Sequence, residues 1–64
     1  MKLTLKMARV KANLKQGVVA EKLGISREYL NRVEAGKVVP KVTLAFALAH
    51  LYSISIEDID FLCS

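Results

Sequence analysis

The stretch Gln16–Ala35, QGVVAEKLGISREYLNRVEA, restricts the possible folds of this chain more than any other. Val19, Ala20 and Leu23 recur at helical spacing, Gly24 interrupts them, and Leu30 and Val33 resume the period. A helix, a tight turn and a second helix satisfy that order; a strand, with its two-residue alternation, does not. Gly24 can take the positive φ that ends a helix. Ser26 is placed to cap the next one, and Glu28 suits the positive end of its dipole. So short a turn makes the two helices cross steeply, with the small Ala20 at their closest approach. Val19, Leu23, Ile25, Leu30 and Val33 fill the space between them and the rest of the chain. On the second helix Leu30, Val33 and Glu34 then point inward, and Arg27, Glu28, Asn31 and Arg32 fall on the outer side.

The flanking sequence predicts three more helices. The first runs from about Leu3 to Asn13, with Leu5, Ala8 and Ala12 on one face. The third helix stops at Gly36, and Val38–Pro40 is extended because the residue before proline avoids the α region. A fourth helix over Val42–Tyr52 carries Leu44, Leu48 and Leu51 as its stripe. Ser55–Asp58 is a capping-box pattern that opens a fifth helix to about Leu62. No segment alternates well enough to be a strand. The expectation is an all-α, five-helix domain over residues 1–64, with its central motif at 16–35.

A core drawn from 64 residues is marginal, so dimerisation would add stability. A hydrophobic fraction of 53% excludes a disordered chain. The longest apolar run, Leu44–Ala49, is six residues, too short to span a bilayer. Lys6, Arg9 and Lys11 interrupt any export signal. The lone Cys63 forms no internal disulfide and points to a reducing cytoplasm, with an intermolecular bridge as the alternative. His50 and Cys63 do not make a metal set, and no nucleophile with a base or carboxylate pair occurs at useful spacing. No metal, cofactor, small-molecule substrate or enzymatic activity is therefore expected. All ten Lys and Arg lie within residues 1–50, opposed only by Glu21, Glu28 and Glu34; Glu57, Asp58 and Asp60 follow. A basic body with an acidic end suits a polyanion partner on one side.

On these residues the chain resembles the Cro/C1-type helix-turn-helix family, the phage-repressor-like or xenobiotic response element family. The resemblance runs from Leu5 and Arg9 through L-x-Q-x-x-V-A-x-x-L-G-I-S at Leu14–Ser26. It continues with Arg27, Leu30, Arg32, Val33, Glu34, Gly36, Lys37 and Pro40, and closes with Leu48, Ala49, Leu51 and Ser53–Ile59. Ala35 departs from it, standing where the family usually has Asn. So do Met7, Val10 and Val18, apolar where the family is usually charged; they either extend the core or mark a contact surface.

The resemblance implies a lambda-repressor-like fold and a regulator that binds double-stranded DNA. Ser26, Arg27, Glu28, Asn31 and Arg32 would face base edges in the major groove. Arginine can bind guanine O6 and N7, and Glu28 can accept from cytosine N4, orient an arginine or only stabilise its helix start. Gln16 would donate to a phosphate, and Arg9, Lys15, Lys37 and Lys41 would neutralise phosphates. Arg9 and Glu34 would form a partly buried ion pair. A homodimer on a palindromic operator is implied, joined near Ile54, Ile56, Ile59, Phe61 and Leu62, at the bacterial nucleoid. Phe46, Phe61 and Leu62 are core or dimer contact, Tyr29 is core or rim, and His50 is a surface or interface residue. The rival reading is an antitoxin-like module that binds a partner protein through Val10, Val18, Val38 and Val39.

Overall fold

A computed structural model describes residues 2–61. Leu3–Thr4 forms β1, followed by α1 (Leu5–Lys11), α2 (Gln16–Leu23), α3 (Arg27–Glu34) and α4 (Val42–Leu51). A single 3-10 turn over Ile56–Asp58 leads into β2 (Ile59–Asp60). The two strands pair in parallel, Leu3 beside Ile59 and Thr4 beside Asp60, and so tie the two ends of the described chain together.

Local chemistry explains most boundaries. Thr4 caps α1, its hydroxyl accepting from the Met7 amide at 3.2 Å. Each α-helix then stops at a residue with positive φ: Asn13, Gly24, Gly36 and Ser53. At each stop that residue and the next one donate back to the last carbonyls, as Gly36 does to Val33 at 3.2 Å and Lys37 to Arg32 at 3.0 Å. The end of α3 is thus closed by backbone bonds, and Ala35 in place of the family's Asn leaves it intact.

Three expectations need correction. The predicted fifth helix is only the 3-10 turn among the described residues. Ser55 makes no side-chain cap, and Ile59 is extended at φ −104 and ψ 129. Its backbone is drawn into the pairing with Leu3 and its side chain into the core. The predicted end at Leu62 lies outside the described residues. At the other end, Leu3 and Thr4 belong to that pairing rather than to the first helix, so a two-residue strand pair stands where none was expected. On α4 the buried stripe is Ala45, Leu48 and Ala49, with Leu44 and Leu51 half-buried.

The core joins Leu5 and Ala8 of α1, Val19 and Ala20 of α2, Leu30 and Val33 of α3, Leu48 and Ala49 of α4, Tyr52 and Ile59. Leu30, Leu48, Val19 and Val33 are the largest fully buried side chains. Each such burial stabilises the fold by about 1.5–3 kcal/mol. Together they fix α3 across α2 and hold one of its faces outward.

Candidate nucleic-acid interface

The outer face of α3 follows from its inner face. With Leu30, Val33 and Glu34 buried, Arg27, Glu28, Asn31 and Arg32 are exposed, together with Ser26 at the helix start. The Ser26 hydroxyl accepts from the Tyr29 amide at 3.0 Å, which fixes where the helix begins. Tyr29 is half-buried and packs against the core edge.

Glu34 is a buried charged side chain, 7% exposed. Its carboxylate accepts from Arg9 Nε at 2.7 Å and from Gln16 Nε2 at 3.1 Å. Arg9 also donates through Nη1 to the Leu14 carbonyl at 3.0 Å. One acid therefore holds α1, α2 and α3 together, and its charge is compensated by a guanidinium in a charge-assisted contact. Gln16 accepts in turn from Arg27 Nε at 3.4 Å. At least one of the Gln16 donor hydrogens is thereby engaged inside the protein.

These residues line one open groove of about 930 Å³. Lys6, Arg9, Lys15 and Arg27 border it, with Gln16 and Asn31. Since Arg9 is paired with Glu34, the remaining cations leave the groove positive against Glu21 alone. Lys37 and Lys41 are exposed elsewhere; Lys41 borders a separate cleft of about 410 Å³ with Leu23, Ile25 and Tyr29. Sequence reasoning missed Lys6, although it stands three residues before Arg9 on the same helix face. It missed Gly17 as well. A Cβ there would meet nothing within 4 Å, yet the residue lines the groove in the first turn of α2.

Beneath the site, Tyr52 is buried and its hydroxyl has no hydrogen-bond partner among the described residues. Burial pushes its pKa up to about 12; the negative charge of Glu34 adds to the rise and Arg9 opposes it.

The residues expected at a dimer contact separate into groups. Ile59 is 3% exposed and packs in the core of its own chain, so its side chain is not available to a partner. The pairing of its backbone with Leu3 is what draws it in. Ile54, Ile56 and Phe61 are half-buried, while Leu62 and Cys63 lie outside the described residues. Phe46 is 55% exposed, and Met7, Val10 and Val18 are also exposed rather than core. Val39 is exposed, Val38 half-buried against the core, and His50 exposed. No described helix is long and apolar enough to cross a membrane. Among the described residues no cluster of His, Cys, Asp and Glu could hold a metal ion.

Two short helices joined at a left-handed glycine, the second buried on one face and polar on the other, define a helix-turn-helix domain. Residues 5–59 match the helix-turn-helix family model, and the chain belongs to the Cro/C1-type helix-turn-helix family. An uncharacterised HTH-type transcriptional regulator of Methanocaldococcus jannaschii is 44% identical over 59 residues, covering 92% of this chain and 89% of that one. Two uncharacterised HTH-type transcriptional regulators of Archaeoglobus fulgidus are similar as well. One is 36% identical over 92% of this chain and 83% of its own length, the other 35% over 80% and 73%. No solved structure matches the chain.

Proposed function

We propose that residues 1–64 work as one sequence-specific unit that binds double-stranded DNA and regulates transcription, as a homodimer on a palindromic operator. The observation that carries this reading is the outer face of α3. Arg27, Glu28, Asn31 and Arg32 are exposed together on one side of a helix whose other side is locked in the core. Such a helix fits the major groove, where an arginine can take guanine O6 and N7. The basic groove beside it, with Lys6, Lys15 and Gln16, suits the flanking phosphates, and Lys37 and Lys41 add contacts further along. The names of the three relatives, all HTH-type transcriptional regulators, support the same role.

One copy makes few base contacts. Two copies related by a twofold axis would set their α3 helices about 34 Å apart, one turn of B-DNA. The half-buried Ile54, Ile56 and Phe61 would contribute to the contact between copies, with Val42 and Phe46, one turn apart on α4, as further exposed apolar surface. The regulator then occludes polymerase at a promoter, or recruits it from an adjacent site, as repressors of phage and mobile elements and controller proteins of restriction–modification systems do. On this reading the protein acts at the nucleoid, where its duplex lies.

A second reading, binding of a partner protein in the manner of an antitoxin, is favoured by the exposure of Val10, Val18 and Val39. Titration of the protein against a duplex selected from a random pool and against a scrambled duplex, at several salt concentrations, tests the first reading. Arg32→Ala is expected to weaken binding to the selected duplex by about 1–3 kcal/mol and to leave the scrambled one nearly unchanged. Lys37→Ala is expected to weaken both and reduce the salt slope by about one. Equal losses on both duplexes for Arg32→Ala would remove its base-reading role. A stable DNA-free complex with another protein on gel filtration would favour the second reading.

A further inference from the structure

Helix α1 has an outer face that contact with DNA leaves unexplained. Leu5 and Ala8 go into the core and Arg9 turns to Glu34, so Lys6, Met7, Val10 and Lys11 stand in solvent. Lys6 and Val10 are four residues apart, as are Met7 and Lys11, so each cation neighbours an apolar side chain on the helix surface. Met7 is 47% and Val10 61% exposed. The helix, LKMARVK, holds no acid. Lys6 also borders the groove beside α3, and Val18, 43% exposed, lines that groove from α2. Beside Val18, a Cβ added at Gly17 would meet nothing within 4 Å, so the groove wall has room there for a side chain from outside. The basic groove and the outer face of α1 thus meet at Lys6. Phosphates answer the cations and leave the exposed hydrocarbon of Met7, Val10 and Val18 uncovered. An occupant that satisfies both offers carboxylates and apolar side chains together.

We propose that this surface, from Val18 across Lys6 to Met7 and Val10, docks an acidic amphipathic helix of a partner protein, and that this partner and DNA exclude one another. The exclusion rests on the reading of the groove as a phosphate-binding surface; the docking does not. Apolar side chains of such a helix cover Met7, Val10 and Val18, and its carboxylates meet Lys6, Lys11 and Lys15. Lys6, Lys15 and Val18 belong to both surfaces, so a bound partner removes phosphate contacts and fills the groove wall.

The probe is a helical peptide of about four turns with leucines at i, i+3, i+4 and i+7 and glutamates elsewhere. Chemical-shift titration of the DNA-free protein is expected to give saturable shifts at the amides of Lys6, Met7, Val10 and Val18, with α4 unmoved. A glutamate-only peptide of the same length is expected to bind about tenfold more weakly. The double variant Met7→Gln, Val10→Gln alters exposed positions alone, and a thermal melt checks that it folds. It is expected to lose about tenfold in affinity for the leucine-bearing peptide and to hold a duplex selected from a random pool within about twofold of the native protein. The peptide is expected to displace that duplex from the native protein. Amides of α1 unmoved by the peptide would overturn the docking, and so would equal binding of the glutamate-only peptide, which reduces the surface to its charge. Shifts at α1 with the duplex still held would overturn the exclusion alone. A native protein that binds no duplex would overturn the DNA reading and the exclusion with it, while the docking stands or falls on the shifts.

Discussion

Helices α3 and α4 solve opposite problems with similar lengths. In α3, REYLNRVE, the apolar residues Leu30 and Val33 and the paired Glu34 share one face, and the remaining side is almost wholly polar. In α4, VTLAFALAHL, apolar residues surround the axis, and burying Ala45, Leu48 and Ala49 leaves Val42 and Phe46 outside. A helix with a polar outer face can stand in water or against a polyanion without cost. One that is apolar on nearly every side leaves hydrocarbon exposed until something covers it. The first arrangement suits contact with DNA, the second contact with protein. The two surfaces are therefore expected to fail separately.

The largest expected effect is at the inner face of α3. Glu34→Ala leaves the Arg9 guanidinium largely buried without its carboxylate and frees Gln16 at the same time. It is expected to cost about 3 kcal/mol in urea unfolding. A loss under about 1 kcal/mol would mean that the junction of α1, α2 and α3 is held by apolar packing alone.

The sharpest separation comes from Phe46→Ser, which touches only the outer side of α4. Folding stability is expected to stay within about 0.5 kcal/mol, since the side chain is exposed. Association between copies, followed by sedimentation, is expected to weaken about tenfold. Unchanged association would take Phe46 out of the contact between copies and leave α4 exposed for another partner.

Where α4 ends, Tyr52 ties the two regions together through its proximity to Glu34. Its raised pKa means that the folded chain holds the phenol proton more tightly than the unfolded chain, whose value is near 10.0. The resulting contribution is complete below pH 10 and declines as pH rises toward the folded value of about 12. The decline should be about 1.4 kcal/mol per pH unit in that window. Tyr52→Phe is expected to remove this component and to be neutral or slightly stabilising at pH 7, because the buried hydroxyl has no hydrogen-bond partner among the described residues. Parallel stability profiles for the two proteins between pH 9 and 12 would contradict this account.

The smallest effect concerns the residue just beyond. Ser53 takes a φ of 53 to close α4, a conformation that favours glycine. Ser53→Gly is expected to raise the stability by about 0.5–1 kcal/mol in thermal unfolding without altering DNA binding.

The contrast between α3 and α4 also explains how far the sequence could be read. Helix α3 was legible to within two residues, because Ser26, Gly36 and the spacing of Leu30 and Val33 mark its limits and its inner face; it ends at Glu34, just before the stop at Gly36. In α4 the hydrophobic period could not choose a face, since nearly every position is apolar; the expected stripe of Leu44, Leu48 and Leu51 was rotated from the buried one. The failure at Ser55–Asp58 had a different origin. A capping-box pattern is a local signal, and the pairing of Leu3 with Ile59 is a contact across almost the whole chain that overrides it. For the same reason Ile59 looked available to a partner when its side chain lies in the core. The groove residues were mostly legible through family resemblance. What no linear pattern carried was the run of contacts from Glu34 through Gln16 to Arg27, which exists only once the helices meet.

Amide chemical-shift mapping with a duplex selected from a random pool tests the central claim most directly. At saturation, the amides of Arg27, Glu28, Asn31 and Arg32 are predicted to shift most, with the first turn of α2 beside them. Saturation of the duplex with those four amides unmoved would contradict the assignment of α3 as the reading helix.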